Sequence, residues 1–318
     1  MKKVLITGAT GFIGRHTLPL LQEKGYEVHG TVLPNQPPVD RQDIHWHTAD
    51  LLNPNDTERI IKTIQPSHLL HFAWYTHPSF YRTSEENLSW VSASIHLAKT
   101  FAKQNGTRAL FAGTCFEYDT SFGLLSEETT PNHPESLYGT CKNALRLIVN
   151  DFFPQRKISS AWGRVFYLFG PHEYPQRLVP TVMNSLLQNK PALCTEGNQI
   201  RDFLYVKDVA SAFVSLLDSD VQGTVNIASG TAIPIRDLVM RIGSLIGKKD
   251  LIRLGAFPTP PGDPAEISAE VRRLYNEVGW RPAYSLEEGL QQTLSWWKTQ
   301  TDRTSKEKEN SSLTKDPL

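Results

Sequence analysis

Apolar positions along the first half of the chain fall into two alternating patterns. Short apolar runs closed by glycine or polar residues read as buried strands, and longer stretches with apolar residues three and four apart read as helices. Residues 3–7, 27–33, 45–48, 69–73, 109–112 and 158–167 follow the first pattern, and residues 11–24, 56–64, 85–103 and 138–152 follow the second. In the opening unit, Val4-Leu5-Ile6 is closed by Thr7-Gly8. Ile13, Leu18, Leu20 and Leu21 then make one helical face, and Gly25 ends it. Strands apolar on both faces that alternate with helices predict an α/β fold, a doubly wound parallel sheet with helices on both sides.

The pattern changes after about Gly170, where segments shorten and proline becomes frequent. Residues 202–206, with the helix after them, and residues 224–228 are expected to return to the first sheet. A proline-rich connector, Phe257 to Pro264, precedes a last unit whose helix opens at Ser285-Leu286-Glu287-Glu288 and runs to Trp296-Trp297. That opening has capping-box spacing, and the paired tryptophans are expected in the core. The almost wholly polar residues 301–318 predict a disordered tail.

Charge and composition narrow the partners. Lys+Arg and Asp+Glu are each 33 among 318 residues, so no basic field exists to hold nucleic acid or an anionic membrane surface. No 18-residue apolar stretch is present to span a bilayer. The start Met1-Lys2-Lys3 imitates the head of a signal peptide, but Thr7 and Gly8 cut the apolar run that follows. Three cysteines without a C-x-x-C fit a reducing, cytoplasmic setting. His45 and His47 share one face of a predicted strand; without a third ligand they read as strand decoration, and no metal is expected.

Two motifs carry chemistry. Gly8-Ala9-Thr10-Gly11-Phe12-Ile13-Gly14 lies between the first strand and first helix, the context in which a glycine loop binds a dinucleotide. Gly8 permits a tight turn, Gly11 admits a pyrophosphate to the backbone, and Gly14 lets helix and strand approach. The helix start adds partial positive charge. The region that should carry a carboxylate for the ribose 2′-hydroxyl of NAD reads His29-Gly30-Thr31-Val32-Leu33. Arg15, directly after the last glycine, can meet a 2′-phosphate, so NADP(H) is favoured and NAD(H) stays open. Downstream, Tyr138 and Lys142 stand four apart on one helical face. An ammonium there favours the phenolate and brings the phenol toward a working range.

The G-x-x-G-x-x-G spacing and Tyr138-x-x-x-Lys142 resemble the extended short-chain dehydrogenase/reductase superfamily, the NAD-dependent epimerase/dehydratase group that modifies nucleotide sugars. The resemblance covers about residues 1–298. It implies a Rossmann-type NAD(P)-binding domain over 1–170, with returns near 202–228, and a smaller mixed α/β substrate-binding domain over 171–300. It makes Thr114 the third catalytic residue beside Tyr138 and Lys142, with Thr114 holding the substrate oxygen. It places Asp50 and Leu51 at the adenine, although a plain helix cap is the other reading of Asp50, and sets Phe72, Ala73 and Asn87 along the cofactor with Phe12 and Ile13. Arg177 and Arg201 become candidates for a substrate diphosphate, with a surface ion pair as the competing reading. Tyr167 stands where many relatives place an asparagine on that diphosphate. Trp74, Tyr75, Phe80 and Tyr81 are candidates to wall the site. Family dehydratases carry Asp-Glu after the threonine; here Cys115 and Phe116 stand there, which argues against 4,6-dehydration and leaves the role of Glu117 open.

The expected function is therefore 4-keto reduction of a 4-keto-6-deoxy nucleotide sugar. A nucleotide-sugar 4-epimerase is the alternative, and a non-catalytic dinucleotide-binding sensor or scaffold is the reading from another class. The resemblance also implies a homodimer built on the two long helices.

Overall fold

The computed structural model describes residues 2–39 and 43–313, with side chains to residue 300. Strands β1 (Lys3–Thr7), β2 (Glu27–Val32), β3 (His45–Thr48), β4 (His68–His71) and β5 (Arg108–Thr114) alternate with helices α1 (Gly14–Glu23), α2 (Pro54–Ile64) and α3 (Glu86–Lys103). The short strand β6 (Leu124–Leu125), α4 (Leu137–Gln155), β7 (Ser159–Val165) and β8 (Tyr167–Phe169) follow. The later chain forms α5 (Leu178–Leu187), β9 (Ala192–Leu193), β10 (Ile200–Tyr205), α6 (Val206–Asp218), β11 (Gly223–Ile227) and β12 (Ala232–Pro234). It ends in α7 (Ile235–Ile246), β13 (Ile252–Arg253), β14 (Glu266–Ala269) and α8 (Leu286–Leu313). Where a disordered tail is expected over 301–318, the backbone of residues 301–313 continues α8, and residues 314–318 lie outside the described residues.

Seven strands form one sheet in the order β11-β7-β5-β4-β1-β2-β3, every neighbour parallel. Alternation along its strands explains why both faces are covered. Val4, Ile6, Leu70 and Leu110 face one way, into a core shared with Leu18 and Leu21 of α1 and Val209 and Phe213 of α6. Leu5, Leu69, Ala109 and Phe111 face the other way, against Ile60 and Ile61 of α2, Leu97 and Phe101 of α3 and Leu145 and Val149 of α4. Each such buried Val, Leu, Ile or Phe side chain contributes about 1.5–3 kcal/mol over its exposed state. This is the α/β, doubly wound Rossmann-type architecture, and its strand order reverses between β1 and β4, where such sheets open a crevice. Thr7, His71 and Ser94 pin that point: His71 Nδ1 lies 2.6 Å from Thr7 Oγ1, and its Nε2 lies 2.8 Å from Ser94 Oγ.

A smaller sheet runs β12-β10-β14-β6, with β8 also on β10. Residues 224–228 do return to the large sheet, as β11 beside β7. Residues 202–206 do not: β10 pairs with β8, β12 and β14 instead. The reason lies in its buried charges, Arg201 and Asp202. Asp202 accepts from Ser229 N–H (2.8 Å) and Gly230 N–H (2.9 Å), in the turn that leads from β11 of the large sheet to β12 of the smaller one. Helices α5, α7 and α8 cover this sheet through Met183, Leu186, Leu238, Ile242, Leu290 and the buried Trp297. Ser285 and Glu288 form the anticipated capping box at α8, exchanging bonds of 2.8 Å and 3.2 Å. No helix among the described residues is long and apolar enough to cross a membrane.

Candidate functional site

The loop from β1 to α1 forms a close-fitting cradle. Gly8 has φ +69°, and a Cβ on it would stand 2.8 Å from Ala73 N in the loop after β4. A Cβ on Gly14 would overlap the Gly8 carbonyl oxygen. Gly11 N–H donates to Gly8 O (3.0 Å) and closes the turn. Ile13 occupies the cap position of α1 and supplies no side-chain cap; Arg15 N–H donates to Gly11 O (3.2 Å) and His16 N–H to Ile13 O (3.0 Å), so the helix start offers an outside anion its partial positive charge.

Thr114, Tyr138 and Lys142 come together at the far end of the same crevice. Ser136 caps α4 by accepting from Gly139 N–H (3.2 Å), and Tyr138 N–H donates to Arg82 O (3.1 Å). This fixes Tyr138 in the first helical turn and Lys142 one turn later, both buried. Lys142 Nζ donates to Ala112 O (3.0 Å) and lies 3.7 Å from the centre of the Trp74 ring. Burial lowers Lys142 to about 7, with the Glu117 charge opposing. Tyr138 is displaced upward by burial first and by Tyr81 next, while a hydrogen bond with Thr114 works the other way. The expected lowering of the phenol by Lys142 is thus not what the structure shows. The amine is turned onto Ala112 O and the Trp74 ring.

The two positions after Thr114 carry no acid–base pair. Burial pushes the Cys115 thiol up to about 12, and Phe116 has no proton to give. Glu117 is fully buried beneath the end of β5. Its carboxylate accepts from Thr114 N–H (2.8 Å), Trp162 Nε1 (2.9 Å) and Arg164 Nε (2.8 Å). Its role, open from the sequence, is to fix the strand end that presents Thr114.

One cavity of about 1010 Å³ joins these parts. Gly8, Gly11, Phe12, Ile13, Gly14, Arg15, Phe72, Ala73, Thr114, Tyr138, Lys142, Tyr167 and Arg177 all line it. Five expected residues behave differently. Asn87 is not on the wall: it is buried in α3, donating to Tyr81 O (2.7 Å) and Ser84 O (2.8 Å) and accepting from Trp74 Nε1 (2.8 Å). It reaches the cavity through Trp74 and Tyr81, because its amide is already saturated. Arg201 is not on the wall either; it is 1% exposed and paired with Asp263 at 2.8 Å. Arg15 is on the wall, but its guanidinium donates to Thr10 O (2.6 Å) and meets His172. Asp50 and Leu51 stand outside the cavity lining. Asp50 is not the cap of α2 either: it accepts from Leu52 N–H (3.0 Å), and Asn53 caps the helix by accepting from Asn55 N–H (3.1 Å).

Of the aromatic candidates, Trp74 and Tyr81 line the cavity, while Phe80 is exposed. Sequence reasoning missed Arg82, Glu173 and Asp263 on the wall. Arg82 lies 4.3 Å over the Phe116 ring. No spacing rule marks these three, since each comes from a loop whose course depends on the assembled sheets.

A groove whose floor tolerates only glycine, an uncapped helix start and an amine at the opposite end fit a pyridine dinucleotide, with its diphosphate at the loop and its nicotinamide riboside toward Lys142. Known proteins agree with this geometry. A family model described as NAD dependent epimerase/dehydratase family matches residues 4–228. The chain is 25% identical over 317 residues to dTDP-D-glucose 4,6-dehydratase of Bos taurus, across 93% of this chain and 89% of that one. It is 25% identical over 339 residues to UDP-glucose 4-epimerase of Neisseria meningitidis serogroup C, across 93% and 97%. The solved UDP-glucose 4-epimerase of Thermus thermophilus in complex with NAD shares the fold, with TM-score 0.83 and 24% identity over 93% of this chain and 99% of that one. Because the matched span runs from β1 through β11 and takes in the whole seven-stranded sheet, the chain belongs to the NAD-dependent epimerase/dehydratase family, enzymes of the extended short-chain dehydrogenase/reductase type.

Proposed function

We propose that the protein reduces the 4-keto group of a 4-keto-6-deoxy nucleotide sugar. In this reading the seven-stranded unit is the cofactor half and the smaller sheet the substrate half. The observation that carries it is Thr114, Tyr138 and Lys142 on the wall of one cavity, with Cys115 and Phe116 after Thr114 where elimination of water would need an acid and a base. A reduced nicotinamide held between the glycine loop and Lys142 would supply the hydride for the carbonyl carbon. Tyr138 gives its proton to the oxygen that becomes the alkoxide, Thr114 donates a hydrogen bond to that oxygen, and Lys142 orients the riboside. Arg177 is the guanidinium available to the substrate diphosphate. Purified protein mixed with NADPH and such a sugar should consume the NADPH in proportion to the alcohol formed. A panel of 4-keto sugars left untouched by protein that binds the cofactor would favour the scaffold reading instead.

Sequence likeness to a UDP-glucose 4-epimerase supports a second reading. The two separate cleanly, because an epimerase retains NAD through purification and works without added cofactor. The preference for NADP(H) rests on the absence of a carboxylate over residues 29–33 rather than on Arg15, which must release Thr10 O to reach a 2′-phosphate. A homodimer is supported by exposed Leu88 on α3 and by exposed Leu147 and Ile148 on α4; light scattering tests it. A cytoplasmic setting is supported by three unpaired cysteines.

A further inference from the structure

The loop over residues 170–177 crosses the cavity from one chemical end to the other. His172, near its start, meets Arg15 beside the glycine cradle. Arg177, at its end, lies 5.1 Å over the Tyr81 ring, and Tyr81 packs edge-on against Tyr138 at 5.0 Å. Glu173 sits between them on the same wall, 7% exposed. Its Oε2 is buried and has no hydrogen-bond partner. A polar atom in that state opposes folding unless something supplies the partner, and the cavity beside it is where a dinucleotide must run to join the cradle to Lys142.

We propose that Glu173 is a binding residue for the dinucleotide, donating a hydrogen bond from its carboxylic acid to an acceptor oxygen of the nicotinamide riboside. The inference rests on the dinucleotide reading above. Burial pushes the Glu173 carboxyl up to about 8, against Arg177 and the Gly170 backbone N–H, which both favour the carboxylate. At neutral pH the group is therefore a neutral donor, which can approach a ligand carrying phosphate charge without repelling it. The titratable and charged groups around it are Arg177 at the head of α5, His172 and Tyr174 in its own loop, His77 against Tyr174, and Arg15 of α1. Tyr138 and Lys142 of α4, with Arg82 and Asp263, line the same cavity. Lys142 titrates in a nearby range, so the comparison must be made between variants rather than with wild type alone.

The test is the Kd of NADH and NADPH, read by protein fluorescence without sugar, for wild type, Glu173→Gln and Glu173→Leu from about pH 6.5 to about pH 9.5. The Gln variant keeps a neutral donor at every pH and should bind within about threefold of wild type at the acid end. Above pH about 8, the wild-type Kd should rise relative to the Gln variant by roughly tenfold per pH unit, as the wild-type donor is lost. Glu173→Leu, checked for an unchanged melting temperature, should bind roughly tenfold more weakly throughout. A ratio of wild-type to Gln Kd that stays flat with pH, or a Leu variant binding as tightly as wild type, overturns the proposal and leaves an ordered water as the partner of Oε2. Failure of wild type itself to bind either dinucleotide overturns the reading beneath it.

Discussion

Lys142 shows how a single side chain can trade stability for chemistry. Its amine is buried and held near 7, so the fold opposes its charge. With the folded value below the unfolded one, the penalty is full below about 7 and fades as pH rises toward the unfolded value near 10.4. Lys142→Met should therefore not lower the melting temperature at neutral pH, while kcat falls at least about a hundredfold; a clear drop in melting temperature would show that the amine stabilises the wall. Tyr138 makes the complementary case. Its phenol is raised by burial and stays protonated across the neutral range. Tyr138→Phe should lower kcat by about 10²–10⁴ and leave cofactor Kd within about threefold. Stopped-flow kinetics and equilibrium titration check the two halves, and wild-type turnover in that variant would remove Tyr138 from the reaction.

At the scale of elements, the site depends on two buried clamps that stand behind the cavity wall. Asn87 of α3 saturates its amide on Trp74 and on the loop before the helix, so it sets the ring on which Lys142 rests. Asn87→Ala should cost about 1–3 kcal/mol by denaturant melts, because it orphans Trp74 Nε1 and the Tyr81 carbonyl; an unchanged midpoint would show that water replaces it. Glu117 holds Thr114 N–H, Trp162 and Arg164 together, so Glu117→Ala strands a buried guanidinium and should cost about 3–5 kcal/mol. The sequence displayed the strands around these clamps because Val4, Ile6 and Leu5 are apolar whichever face they take. It displayed Tyr138 and Lys142 because their relation is local, one turn of one helix. Glu117 was hidden because Trp162 and Arg164 lie 45 and 47 residues further on, and Asn87 because its partners, 3 to 13 residues back, sit in an irregular loop that no spacing rule reads. Asn87 looked like a cofactor contact for the same reason that β10 looked like a strand of the large sheet: a buried polar group reveals its role only through its partner.

Across the whole molecule, the Arg201–Asp263 pair joins β10 to the connector over residues 257–264. Arg201 is nearly fully buried and Asp263 about three-quarters so, and Gln199 also donates to Asp263 (3.0 Å). Asp263→Asn should therefore lower stability by about 2 kcal/mol. If the freed guanidinium then meets a diphosphate, UDP should raise the melting temperature of the variant more than that of wild type. Equal shifts in both would show that Arg201 serves the connector alone. Cys115, Cys141 and Cys194 are all buried, and burial raises each thiol above its ordinary range. The native molecule consequently presents almost no thiolate to an alkylating reagent. Iodoacetamide should mark the chain only as fast as it opens, so the mass gained over hours is a built-in clock for unfolding, one that needs neither substrate nor an engineered label.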